Sequence, residues 1–198
     1  FPKQASYSLQ CRIEPPGRIG VANVKTLLDE AQLRQGVAEM ARRLHVAAEN
    51  RPLTMIGILT GSVVLLADLI RQLNMPLRVG VVQASSYRGG VERGKLVINY
   101  DMMPDVADRH VWLVDDIFDT GHTLVHVINE MKKLGAKTVR TAVLLRKEGR
   151  QEVDYQPDII GFDIPDEFVV GYGLDYQDGF RNLTYIAAME ASDLPLPE

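Results

Sequence analysis

Val111-Trp112-Leu113-Val114-Asp115-Asp116-Ile117-Phe118-Asp119-Thr120-Gly121-His122-Thr123-Leu124 decides how this chain is to be read. An apolar run ends in two adjacent carboxylates. A third carboxylate follows three residues later, and a Thr-Gly-His-Thr turn then opens an amphipathic stretch. This is the order of a buried strand, a turn and a helix N-terminus. Adjacent strand residues point to opposite faces, so a straight strand would bury one carboxylate. The expectation is therefore that the strand stops at Asp115 and leaves both acids at the sheet edge. The free N–H groups at the helix start, with the Thr120 and Thr123 hydroxyls, suit a phosphate. An isolated Asp-Thr-Gly is more often a helix cap. The acid pair just upstream favours a site for a phosphorylated, hydroxyl-bearing ligand. The Gly-Lys-Ser/Thr ending of a Walker loop is absent.

Working outward, the same alternation recurs. Apolar residues at helical spacing predict a helix over Lys25–Asn50, stopped by Arg51-Pro52. Strands are predicted over Leu53–Leu59, Leu77–Ser86, Lys95–Tyr100, Val111–Asp115, Lys137–Leu145 and Asp158–Phe162. Helices are predicted over Val63–Leu73 and Thr123–Leu134, with Gly135 as the cap of the second. Tyr87–Gly94 is polar and glycine-rich, and reads as a mobile loop. Strand and helix in alternation predict an α/β fold, a central mostly parallel sheet with helices on both faces. Ligands of such sheets lie beyond the carboxyl ends of the strands. The segments 60–62, 85–94, 115–123 and 146–150 all fall there.

The 198 residues suit one domain, 1–198. A net charge of −4 argues against a nucleic-acid surface, which needs clustered Lys and Arg. Arg42-Arg43 and Lys132-Lys133 are short basic pairs of the kind that usually face solvent. Cys11 is the single cysteine, so neither an intrachain disulfide nor a thiolate metal cluster is possible within this sequence. No apolar run reaches the length of a membrane span. Phe1-Pro2-Lys3-Gln4-Ala5 lacks the features of a signal peptide, and the expected location is cytoplasmic.

Val114–Leu124 resembles the phosphoribosyl-pyrophosphate motif of the type I phosphoribosyltransferases. Leu144-Leu145-Arg146-Lys147 and Pro157–Tyr176 resemble the hypoxanthine-guanine subfamily, and the likeness runs from about residue 50 to 190. The resemblance implies purine salvage. Phosphoribosyl would pass from 5-phosphoribosyl 1-pyrophosphate to hypoxanthine, and to guanine, giving IMP or GMP and pyrophosphate. It also implies Mg2+, a homo-oligomer (dimer or tetramer), and a small hood over the base built from residues 1–24 and about 150–190. A regulator that keeps this fold to sense nucleotides is one alternative, marked by a basic face or an added DNA-binding segment. A phosphoribosyltransferase preferring xanthine is another.

The same resemblance assigns roles. Asp115 and Asp116 would hold the ribose hydroxyls and organise magnesium. The family often has Glu where Asp115 stands, which reaches one methylene further. Asp119 would be the catalytic partner of the base at N7. Thr120, Gly121, His122 and Thr123 would cradle the 5′-phosphate, His122 through its backbone. Lys147 would read the purine 6-oxo group, Phe168 would stack on the ring, and Val169 would offer backbone groups. Thr60 and Gly61 match the pyrophosphate loop, which often carries Lys or Arg where Thr60 stands, and a cis peptide is implied at Leu59–Thr60. Arg181 would meet the pyrophosphate and Asp175 the magnesium. Ser85, Ser86 and Tyr87 match the start of a flexible lid.

Overall fold

The computed structural model describes residues 25–49, 51–86 and 96–189. Five parallel strands and one antiparallel edge strand form the main sheet: β2 (Leu53–Leu59), β3 (Leu77–Ser86), β4 (Leu96–Asn99), β5 (His110–Phe118), β6 (Thr138–Lys147) and β7 (Ile159–Ile164). Their spatial order is β4-β3-β2-β5-β6-β7, with β4 antiparallel to β3. Helices α1 (Glu30–Ala48) and α2 (Val63–Gln72) cover one face and α3 (His122–Lys133) the other. The expected α/β sheet with helices on both faces is therefore present.

The strands carry the apolar pattern of two-sided burial. Trp112 and Val114 pack with α1 and α2, while Val111 and Leu113 pack with α3. On α1 the buried residues Leu33, Val37, Met40, Ala41, Leu44 and Ala48 recur every three or four positions. Truncating a fully buried leucine in such a core costs about 2–5 kcal/mol.

The predicted helix over 25–50 begins late. Residues Lys25–Leu28 form a strand, β1, and α1 starts after Asp29. The Asp29 side chain accepts from the Gln32 amide at 2.8 Å, and Gln32 Oε1 accepts from the Asp29 amide at 2.9 Å. This reciprocal cap sets the boundary. β1 pairs with β9 (Ile186–Met189), which pairs with β8 (Phe168–Val170). The result is a small antiparallel sheet made from the two ends of the described chain. Residues 1–24, the N-terminal part of the expected hood, lie outside the described residues.

The strand order reverses between β2 and β5, and there the two strands part. Their pairing runs from Leu53↔His110 to Gly57↔Val114. Beyond it β2 continues against β3 as far as Leu59↔Gln83, and β5 continues against β6 as far as Phe118↔Arg146. A crevice opens above Gly57 and Val114, at the switch point where open α/β sheets bind ligands.

Candidate active site

The cleft at the switch point has a volume of about 310 Å³. Its walls come from the β2–α2 turn (Thr60, Gly61), the end of β5 and the start of α3 (Asp115–Gly121, Thr123), and Asp175 and Arg181 near the small sheet. Distant parts of the chain therefore meet here, and most are residues the sequence singles out.

The acid pair departs from expectation. β5 does not stop at Asp115 but runs through to Phe118. Strict alternation fails instead: Ile117 packs with the α1/α2 side and Phe118 with the α3 side, the reverse of the parity set by Val111–Val114. Both carboxylates line the cleft, and Asp115 is only 7% exposed. The departure of β2 makes this possible, because it leaves that side of β5 without a paired strand. Asp115 Oδ1 accepts from the Asp116 amide at 3.1 Å, and Asp116 Oδ1 from the Ile117 amide at 2.9 Å. Burial, and then the charge of Asp116, push the Asp115 carboxyl well above the usual carboxylate range. Burial also raises Asp116, against hydrogen bonds and the charge of Arg181 that pull it down.

Three segments close on Asp116. A β-carbon at Gly61 would lie 1.5 Å from Asp116 Oδ2, and one at Gly173 would lie 2.0 Å from the Gly61 carbonyl oxygen. Only glycine permits this stacking, and Gly173 also has φ +106°. Tyr172 holds that turn to α2, its hydroxyl donating to Asp68 Oδ2 at 2.6 Å. Arg181 donates to the Gly173 carbonyl at 2.8 Å and pairs with Asp175 Oδ1 at 2.8 Å. The Leu59–Thr60 peptide is cis.

The phosphate-sized turn begins at Gly121, whose φ of +89° reverses the chain into α3. The first N–H groups of a helix have no intrahelical acceptor. Thr120, Gly121 and Thr123 line the cleft, whereas the His122 ring turns away to Glu152, with Nε2 3.0 Å from Oε2. The segment after β6 lies over this turn: the Glu152 amide donates to the Thr120 carbonyl at 3.0 Å.

Beside the cleft stands a group of charges. Lys147, at the end of β6, is 3.6 Å from Asp119 Oδ2 and 3.4 Å from Asp166 Oδ1, with its side chain only 12% exposed. Arg150 Nε is 3.0 Å from Asp119 Oδ1 and 3.6 Å from Asp166 Oδ1. Gln151 donates to the Lys147 carbonyl. Asp119 and Lys147 were expected here. Arg150 and Asp166 were not, although both follow the carboxyl ends of strands, where ligands of such sheets bind. Phe168 opens β8, 40% exposed and edge-on to Tyr176 at 5.6 Å, while Val169 is buried between the sheets. Ser85 and Ser86 end β3 opposite Val97 and Leu96. Tyr87 lies outside the described residues.

Asp115, Asp116 and Asp175 are hard oxygen donors facing one cleft. Among the described residues no three His, Cys, Asp or Glu side chains converge as a metal cage. That set fits Mg2+, which binds through one or two carboxylates, waters and substrate oxygens rather than an all-protein cage.

A fold of this topology, with an acid pair and an anion turn at its switch point, defines a class. A family model for the phosphoribosyl transferase domain matches residues 23–177, and the chain belongs to that family. It is 37% identical over 166 residues to a hypoxanthine-guanine phosphoribosyltransferase of Staphylococcus epidermidis, covering 83% of this chain and 93% of that one. It is 36% identical over 168 residues to the hypoxanthine phosphoribosyltransferase of Haemophilus influenzae, covering 83% and 94%. The crystal structure of a hypoxanthine-guanine phosphoribosyltransferase from Bacillus anthracis superposes with a TM-score of 0.78 at 35% identity, covering 85% of this chain and 99% of that one. Among the described residues no helix is long and apolar enough to cross a membrane.

Proposed function

We propose that this protein is a purine-salvage transferase that moves phosphoribosyl from 5-phosphoribosyl 1-pyrophosphate to hypoxanthine, and to guanine. The observation that carries the reading is the meeting of Lys147 and Asp119, 3.6 Å apart, beside the acid pair and the phosphate turn. A cation and a carboxylate side by side match the 6-oxo and N7–H edge of an oxopurine, an acceptor next to a donor. Adenine has an amino group where Lys147 needs an acceptor.

In this reading the backbone of Thr120–Thr123 and the two threonine hydroxyls hold the 5′-phosphate. Asp115 and Asp116 accept hydrogen bonds from the ribose hydroxyls, and their charge favours the cationic sugar of the transition state. Arg181 and the amides around Thr60 and Gly61 face the pyrophosphate. This division follows from the uncharged Thr60, which among the described residues leaves Arg181 as the cation lining the cleft. Asp119 takes the N7 proton as the ring nitrogen bonds to C1. Phe168 stacks on the purine and Val169 offers its backbone, so that the small sheet acts as a hood. Ser85 and Ser86 begin a lid. Asp175 and the acid pair would hold Mg2+ together with substrate oxygens, and the ion would supply charge neutralisation for the leaving pyrophosphate. The proposal includes a cytoplasmic homo-oligomer.

Incubation with phosphoribosyl pyrophosphate, Mg2+ and each of hypoxanthine, guanine, xanthine, adenine and uracil tests it. Nucleotide is expected from hypoxanthine and guanine and not from adenine or uracil. Absence of product from every 6-oxopurine refutes it.

A further inference from the structure

Arg150 is absorbed by none of these roles. It stands on the loop after β6, next to Gly149, and reaches back to Asp119. Its Nε lies 3.0 Å from Asp119 Oδ1, closer than Lys147 comes to the same carboxylate. If Asp119 is the partner of the base, as proposed above, the free site has that carboxylate already engaged by a guanidinium. A purine N7–H approaching that carboxylate has to share it with Arg150 or displace the guanidinium. Arg150 also lies 3.6 Å from Asp166 Oδ1, so a second acceptor is within reach of a small side-chain movement. Lys147 sits between the same two carboxylates.

We infer that Arg150 is a positioning residue, a latch that holds Asp119 in the empty site and transfers to Asp166 when the base binds. The transfer leaves neither charge unpaired. Asp166 retains two cations, Asp119 turns to the purine, and Lys147 remains able to donate to the 6-oxo group. Both sides of the Arg150–Asp119 pair are partly exposed, 43% and 36%. An exchange between partly solvated partners is cheap, because ion pairs open to solvent are weak. The covering segment has the anchorage such a latch requires. Gln151 holds the Lys147 carbonyl and the Glu152 amide holds the Thr120 carbonyl, so the loop is tied both to the end of β6 and to the phosphate turn. Arg150 can then move as a side chain while its backbone stays.

The test is steady-state kinetics of the full-length wild type, Arg150→Ala, Arg150→Lys, Asp166→Asn and the double variant, with hypoxanthine varied at saturating phosphoribosyl pyrophosphate and the reverse. Arg150→Ala removes a competitor for Asp119. Its KM for hypoxanthine is expected to fall about two- to fivefold, the size of one partly exposed ion pair, with the KM for phosphoribosyl pyrophosphate unchanged. Arg150→Lys should restore part of the wild-type KM. Asp166→Asn removes the second acceptor and should raise the KM for hypoxanthine, by less when Arg150 is already Ala. A merely structural role would not split the two KM values in this way. A rise in the hypoxanthine KM of Arg150→Ala places Arg150 on the base itself and overturns the latch. A rise in the phosphoribosyl pyrophosphate KM places it on a phosphate, and unchanged constants make it a bystander; both also overturn it. Loss of the proposed function is a separate outcome, because it appears as an inactive wild type.

Discussion

Replacing Asp115 by Asn should make the ligand-free protein more stable at neutral pH while impairing it as an enzyme. Asp115 is buried against a second carboxylate, and its pKa is raised chiefly by burial and next by Asp116. The sign follows from linkage. The unfolded chain releases this proton near pH 4, whereas the folded chain keeps it to higher pH. Stability contributed by the site is therefore full below about pH 4 and is lost as pH rises through the folded value. Each unit of upward shift amounts to about 1.4 kcal/mol of lost stability at pH 7. Asn reproduces the protonated acid: its oxygen can still accept from the Asp116 amide, as Oδ1 does at 3.1 Å, and its amino group can donate to the Asp116 carboxylate. A gain of about 1 kcal/mol or more is expected at pH 7, or a Tm higher by roughly 2–4 °C per kcal/mol in a chain of this size. The assay is thermal unfolding of both proteins at pH 4, 5.5 and 7, in EDTA and without substrate. The gain should shrink towards zero at pH 4. A variant that melts at or below the wild-type temperature at pH 7, or a gain independent of pH, refutes the account of a desolvated acid pair. In the same variant kcat/KM for phosphoribosyl pyrophosphate should fall about 10- to 100-fold, since a charged acceptor for a ribose hydroxyl is worth roughly 1.5–3 kcal/mol.

Three further outcomes are expected. Lys147→Met should lower kcat/KM for hypoxanthine about 10- to 100-fold, the value of a hydrogen bond from a charged donor, with little change in the KM for phosphoribosyl pyrophosphate; steady-state kinetics with each substrate varied checks this. Asp119→Asn should leave phosphoribosyl pyrophosphate binding intact, measured by calorimetry, and slow turnover about 10²-fold if the carboxylate takes the N7 proton. Gly173→Ala places a methyl 2.0 Å from the Gly61 carbonyl at a φ of +106°. It should destabilise the protein by about 1–3 kcal/mol and raise the KM for phosphoribosyl pyrophosphate, as denaturant unfolding and kinetics would show.

The sheet was legible because its evidence is local. Apolar runs such as Leu53–Leu59, ended by turn residues, bury on both faces whatever surrounds them. The order in which they alternate with helices also selects a parallel sheet. The site was legible to the same extent: the acid pair and the anion turn lie within fourteen residues on one β–α unit. Local pattern was misleading where the outcome depended on distant partners. Thr26-Leu27-Leu28 fits a helix, yet becomes a strand because β9 is there to pair with it and Asp29 caps the helix that follows.

The acid pair shows the division most clearly. From the order of its residues alone, this chain has a parallel α/β sheet, a strand that delivers two carboxylates, and a helix start that takes an anion. Those are consequences of side-chain periodicity and of the N–H groups every helix leaves free. Whether the strand would stop at Asp115 or pass through it was decided by β6, which pairs with β5 as far as Phe118↔Arg146, while β2 leaves β5 after Gly57↔Val114 and opens the cleft. Strand partners that separate in space leave no mark in the sequence of either strand. The same holds for Arg150 and Asp166, sixteen residues apart in the chain. They become one charged group with Asp119 and Lys147 only because β5, β6 and the chain leaving β7 lie side by side.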